Sequence, residues 1–97
     1  MGEWEDEMRL EQDIDEYGRI LNKSAIEYYQ DVLKPEDLDK GKGRLLEMMW
    51  KYDFITPVVR DMVSELQGKY PNLNVDNSIE YKLHADAEAA VINAFGL

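Results

Sequence analysis

The chain has a single histidine, His84, and no cysteine. His84 follows Glu80 by four residues, a spacing that puts an imidazole and a carboxylate on one face of a helix. Such a pair can share a proton or help hold a metal ion. A di-metal carboxylate site needs a second acid–histidine pair, and no second histidine exists. A hydroxyl nucleophile needs an adjacent base and an orienting group. The hydroxyls on offer are Ser24, Ser64, Ser78 and Thr56. Of these, Ser24, Thr56 and Ser78 stand where helix caps are expected. Asp37-Leu38-Asp39-Lys40-Gly41 begins like a calcium loop. It departs at the sixth position, Lys42 in place of glycine, and at the twelfth, Met48 in place of glutamate. Gly41-Lys42-Gly43-Arg44 precedes a helix but lacks the glycine spacing and following hydroxyl of a phosphate loop. The residues therefore lead to an expectation of no catalytic, cofactor-binding or metal-binding site, and of a protein that is not an enzyme.

What remains is charge. Eight of the first sixteen residues are acidic, namely Glu3, Glu5, Asp6, Glu7, Glu11, Asp13, Asp15 and Glu16, and only Arg9 is basic. The whole chain carries a net charge of −10, with 13 acids and 4 bases in residues 1–39 against 8 acids and 7 bases in residues 40–97. A field so one-sided repels nucleic acid and anionic lipid and attracts basic surfaces. On a helix, Glu3, Glu7, Glu11 and Asp15 form one ridge with a rise of about 6 Å per step, close to the spacing of phosphates along a nucleic-acid strand. Trp4 and Met8 fall beside Glu11 and Asp15. They lie roughly 100° or more from the apolar stripe of the same helix, at 100° per residue. A tryptophan in that position is a candidate binding anchor.

Hydrophobic residues make up 44% of the 97 residues, ordinary for one small globular domain. The absence of cysteine suits the cytoplasm. The acidic N-terminus does not have the basic and then apolar form of a signal peptide. No apolar run approaches the ~20 residues that span a bilayer. Met1-Gly2 is not followed by the hydroxyl that a myristoylation site requires, because Asp6 occupies that position.

The elements that carry these residues read as helices. Leu10, Ile14, Tyr17 and Leu21, continued by Ala25, Tyr28 and Val32, predict helix from about 4 to 34. Ser24-Ala25-Ile26-Glu27 has the form of a capping box, so two helices, or one with a kink near Asn22-Lys23, are favoured over one straight helix. Residues 35–43 read as a flexible connector. Residues 44–54 are apolar on more than one side and predict a central buried helix. Thr56-Pro57 reads as the start of the next helix, with Gly68 as its cap. The last third has two readings. A helix from about Ser78, opened by Asn77-Ser78-Ile79-Glu80 and closed at Gly96, is favoured. A short β-hairpin around residues 72–84 is the rival, from the alternation of Leu73, Val75, Ile79, Tyr81 and Leu83.

The expected fold is all-α: a single domain over 1–97, four to five helices around Trp50, Phe54, Met62, Leu66 and Val91, with an acidic N-terminal helix. The expected function is an acidic protein-interaction module. It binds a protein with a basic surface, in its sharper form one that handles nucleic acid, and inhibits or regulates it through carboxylates placed where phosphates would sit. Glu3, Trp4, Glu5, Asp6, Glu7, Met8, Glu11, Asp13, Asp15 and Glu16 are the expected partner-binding residues, with no direct contact to nucleic acid or membrane. In composition the chain resembles phage-encoded inhibitors of restriction or CRISPR systems. The alternative is a structural protein whose helices pair with copies of itself, a homodimer seamed along Leu10 to Val32, or with another subunit.

Overall fold

Amphipathic spacing turns into five helices in the computed structural model, which describes residues 3–97, the side chain of Glu3 excepted. They are α1 (Glu3–Val32), α2 (Pro35–Leu38), α3 (Lys42–Lys51), α4 (Ile55–Lys69) and α5 (Asn77–Ala94). No strand occurs among the described residues. The all-α expectation holds and the hairpin does not. Residues 71–76 form a turn and an extended stretch, and α5 starts at Asn77. The stretch is held by the Gln67 side-chain amide, which donates to the Val75 carbonyl at 3.0 Å. Asp76 caps α5, its carboxylate accepting from the Ser78 amide at 3.0 Å and the Ser78 hydroxyl at 2.6 Å. The period-two alternation stops at that cap. Tyr81, which a hairpin would have paired inward with Leu83, is 78% exposed.

Helix α1 is continuous over 30 residues, without a break into two helices near Asn22. Ser24 lies inside it and opens nothing. The reason is packing: Leu21, Ala25 and Tyr29 are fully buried at successive turns on both sides of the presumed break, so tertiary contacts outweigh a weak local stop signal. Asp13 meets the C-terminal end of α4, and Tyr29 meets the turn that leads into its N-terminal end. These two helices therefore run antiparallel. Thr56 faces His84, Arg60 faces Glu80 and Gln67 faces Val75, so α4 and α5 are antiparallel too, and α1 runs parallel to α5. The three long helices share a core of Leu21, Ala25, Tyr29, Val59, Leu66, Leu83, Ala87 and Val91. The result is a rod of 54 × 20 × 18 Å.

Three local expectations fail, at the connector and at the two ends of α4. The connector is not without structure: it contains α2, Asp37 accepts from the Lys34 amide at 3.2 Å and from Arg44 at 3.1 Å, and α3 already begins at Lys42. Gly41 makes this turn with φ 85°, a region that favours glycine. Helix α4 begins at Ile55, and its capping side chain is Asp53, which accepts from the Thr56 amide at 3.1 Å. Gly68 lies within the helix, which continues to Lys69. Gly96 does close α5, with φ 71°.

The largest correction concerns Trp50. Expected at the centre of the core, it is 84% exposed. Leu45, Met48 and Met49 take the buried face of α3, and Leu46 and Trp50, one turn apart, take the outer face. A helix apolar on two sides buries both only if it has neighbours on both. Helix α3 lies at the end of the rod and has neighbours on one side. Of the other expected core residues, Leu66 and Val91 are fully buried, and Phe54 and Met62 pack partly buried against the core.

Candidate functional site

Helix α1 arranges its acids in three groups. Toward α4, Asp13 is an internal anchor. Its carboxylate accepts from Lys69 Nζ at 2.7 Å and from the Tyr70 hydroxyl at 2.5 Å. The Lys69 bond first, and the Tyr70 bond second, hold the Asp13 carboxyl below its ordinary range. Asp6, half-buried on the same side, lines a hollow of about 280 Å³ with Arg9, Lys69 and the turn Tyr70–Leu73. Toward α5, Glu11 and Asp15 flank a second hollow with Ile14 and Lys82. On the outer side, Glu5, Glu7 and Glu16 face solvent, and Glu16 pairs with Arg19 at 2.6 Å. The side chain of Glu3 lies outside the described residues.

A depressed carboxyl stabilises the folded state above its unfolded value of about 3.9, and that contribution is lost as pH falls through the lower folded value. Asp13→Asn is thus expected to cost about 1 kcal/mol at pH 7, given the partial exposure of the pair. Thermal melts of variant and parent should converge below pH 4. A gap that persists undiminished at acid pH would show that the carboxylate is not what holds α1 to α4.

Trp4 is 69% exposed and Met8 44% exposed. The register explains why. Lys82 sits beside Ile14 and Asp15, so α5 begins level with about residue 10 of the parallel α1, given the common rise per residue. The first two turns of α1 project past the start of α5. On that side no helix is present to cover an indole or a thioether. Trp4 is therefore not folded onto the C-terminal helix. The apolar stripe of α1 is used within the chain, where Leu10, Leu21, Ala25 and Tyr29 are buried in its own core.

A second constellation was not legible from spacing. Thr56, His84 and Glu88 come together across α4 and α5. The Thr56 hydroxyl lies 3.3 Å from His84 Nε2, and His84 Nδ1 lies 3.4 Å from a Glu88 oxygen. They line a hollow of about 290 Å³ with Leu46, Met49, Trp50 and Asp53. The order carboxylate, imidazole, hydroxyl is that of a hydroxyl nucleophile and its base. The Asp53 carboxylate beside it, however, opposes the negative charge that builds on an attacked carbonyl and favours a positive charge in the same place. Thr56 and His84 are 28 residues apart, so only the antiparallel pairing of α4 and α5 joins them. The i, i+4 partner that His84 takes is Glu88, not Glu80, which points to Arg60 at 4.0 Å. Among the described residues, no three acids or histidines are grouped to hold a metal ion, and no helix is long and apolar enough to cross a membrane.

Comparison with protein-family models, with curated proteins and with solved structures returned no match to this chain.

Proposed function

We propose that this protein is a non-enzymatic, cytoplasmic interaction module whose N-terminal helix docks on a basic protein surface and inhibits or regulates the protein that bears it. The observation that carries the reading is the pairing of exposed anchors with exposed acids on one rigid helix. Trp4 and Met8 stand free, and Glu7, Glu11 and Asp15 are exposed near them along α1. Helix α1 is fixed to the rest of the chain by its buried stripe and by Asp13, so the outer face is preorganised and little ordering entropy opposes docking. Exposed acids at a pitch near that of phosphates support the sharper form, in which the partner is a nucleic-acid-handling protein and the acids compete for its binding groove. An inhibitor of the phage type is the biological setting that such a surface suits. Within this reading Glu5, Glu7, Glu11, Asp15 and Glu16 steer and pair, Trp4 and Met8 supply desolvated area, and Asp13 holds the helix in place.

The test is capture of a partner from host lysate with the native chain, with Glu7→Lys/Glu11→Lys/Asp15→Lys as control. These three side chains are exposed and make no ion pair among the described residues, so the variant should fold. A basic partner is expected to be retained by the native chain, lost by the variant by about 100-fold or more, and displaced both by added salt and by DNA or RNA. A partner that the variant holds equally well would remove the acidic face from the function. One that nucleic acid fails to displace would remove mimicry and leave simple docking.

A further inference from the structure

The opposite end of the rod carries a second exposed tryptophan among acids. Trp4 sits near the C-terminal end of α4, whereas Trp50 sits just before the turn into its N-terminal end. We propose that the hollow between Trp50 on α3 and Glu88 on α5 is a docking site for an arginine side chain of a protein partner. The inference does not rest on the reading of α1 and involves none of its residues.

Charge and shape lead to arginine. Two carboxylates, Asp53 and Glu88, line the hollow. Among the described residues neither has a lysine or arginine within ion-pair distance. The cation nearest in sequence, Lys51, lies over the Tyr52 ring at 5.5 Å. Asp53 gives one oxygen to the Thr56 amide, which orients the carboxylate and leaves acceptor capacity for a ligand. The Trp50 side chain stands exposed at the rim, with Leu46 one turn away and also exposed. A guanidinium can stack on an indole and donate to two carboxylates at once, and its propyl stem can cover leucine. An ammonium can only act as a point charge. A volume of about 290 Å³ lies at the lower edge of small-molecule pockets and suits one long side chain. Thr56 and His84 also line an adjoining hollow beside Tyr81, so an extended backbone has a path out of the site. A protein source is favoured over a free guanidinium compound, because Leu46, Trp50 and Tyr81 are apolar surface that only flanking residues of a chain would cover.

The test uses the peptide acetyl-Gly-Leu-Arg-Leu-Gly-amide, its citrulline isostere and acetyl-arginine amide, each titrated into the ¹⁵N-labelled protein. Saturable shifts are expected at the Trp50 indole N–H and at amides of residues 53–56 and 84–88. The arginine peptide should bind more tightly than either comparison compound. Asp53→Asn with Glu88→Gln should weaken it at least about fivefold. Asparagine can still cap α4, so that variant should keep its fold. Glu7→Gln/Glu11→Gln/Asp15→Asn should leave the affinity unchanged. Shifts confined to α1, equal binding of citrulline, or an unaffected double variant would each overturn the assignment. Binding of acetyl-arginine amide as tight as that of the peptide would overturn the protein source.

Discussion

Tyr29→Ala is expected to destabilise the fold by about 3–5 kcal/mol, a large share of the 5–15 kcal/mol typical of a domain. Tyr29 is completely buried and performs two tasks. Its ring fills the core between α1 and the α3–α4 turn, edge-on to Tyr28 at 5.0 Å, while Tyr28 stacks on Phe54 at 4.7 Å. Its hydroxyl donates to the Tyr52 carbonyl at 2.6 Å, lies 3.3 Å from the Met49 carbonyl, and accepts from the Phe54 amide at 3.3 Å. One side chain thus satisfies backbone groups at the end of α3 and just before α4, in a turn that has no regular ladder of its own. Tyr29→Phe separates the tasks. It keeps the ring and orphans those groups, at a cost of about 1–3 kcal/mol. Burial pushes the Tyr29 hydroxyl above its ordinary range. That contribution is therefore present below about pH 10 and is lost as pH rises through the folded value. Denaturant melts of both variants decide the matter. If Tyr29→Phe melts like the parent, the hydroxyl latch is not a stabilising element.

Leu83→Ala is expected to cost about 2–5 kcal/mol, in the upper half of that range. Leu83 is almost completely buried, and it packs over Gly18 on the parallel helix α1. Where a leucine faces a glycine, no side chain opposite can move into the space it vacates, so the cavity persists. Gly18→Ala tests the same contact from the other side. A β-carbon there would meet Leu83 at 3.7 Å, ordinary van der Waals contact, and alanine gains about 0.5–1 kcal/mol in a helix interior. Gly18→Ala alone should therefore stabilise the protein, and it should recover part of the loss in the Leu83→Ala background. Calorimetry of the two single variants and the double variant measures this. A destabilised Gly18→Ala would mean that α1 and α5 approach more closely than described.

Where burial followed one clean periodicity, spacing was enough. The Leu10–Leu21 stripe and the glycine at the end of α5 were both legible, because each depends on residues a few positions apart. Signals failed where two local codes overlapped. Ser24 matched a cap inside a helix, and residues 73–83 matched a strand until Asp76 capped α5. Tyr29 was missed because its neighbour Tyr28 fits the seven-residue repeat, although Tyr29 is the one completely buried. At the candidate surface, helix geometry placed Trp4 and Met8 off the apolar stripe of α1 but left open whether another helix covers them. The anchoring of Asp13 was not legible, since Lys69 and Tyr70 are more than fifty residues away.

Composition and periodicity by themselves determined a helical domain with an acidic N-terminal helix, because both are properties of neighbours within a few turns, and left residues 72–84 open between hairpin and helix. The tertiary structure alone decided which apolar side chains stay in water. Trp4 is exposed because α1 projects past the start of α5, and Trp50 because α3 has neighbours on only one side. Both follow from where helices end relative to one another, and no local spacing records that.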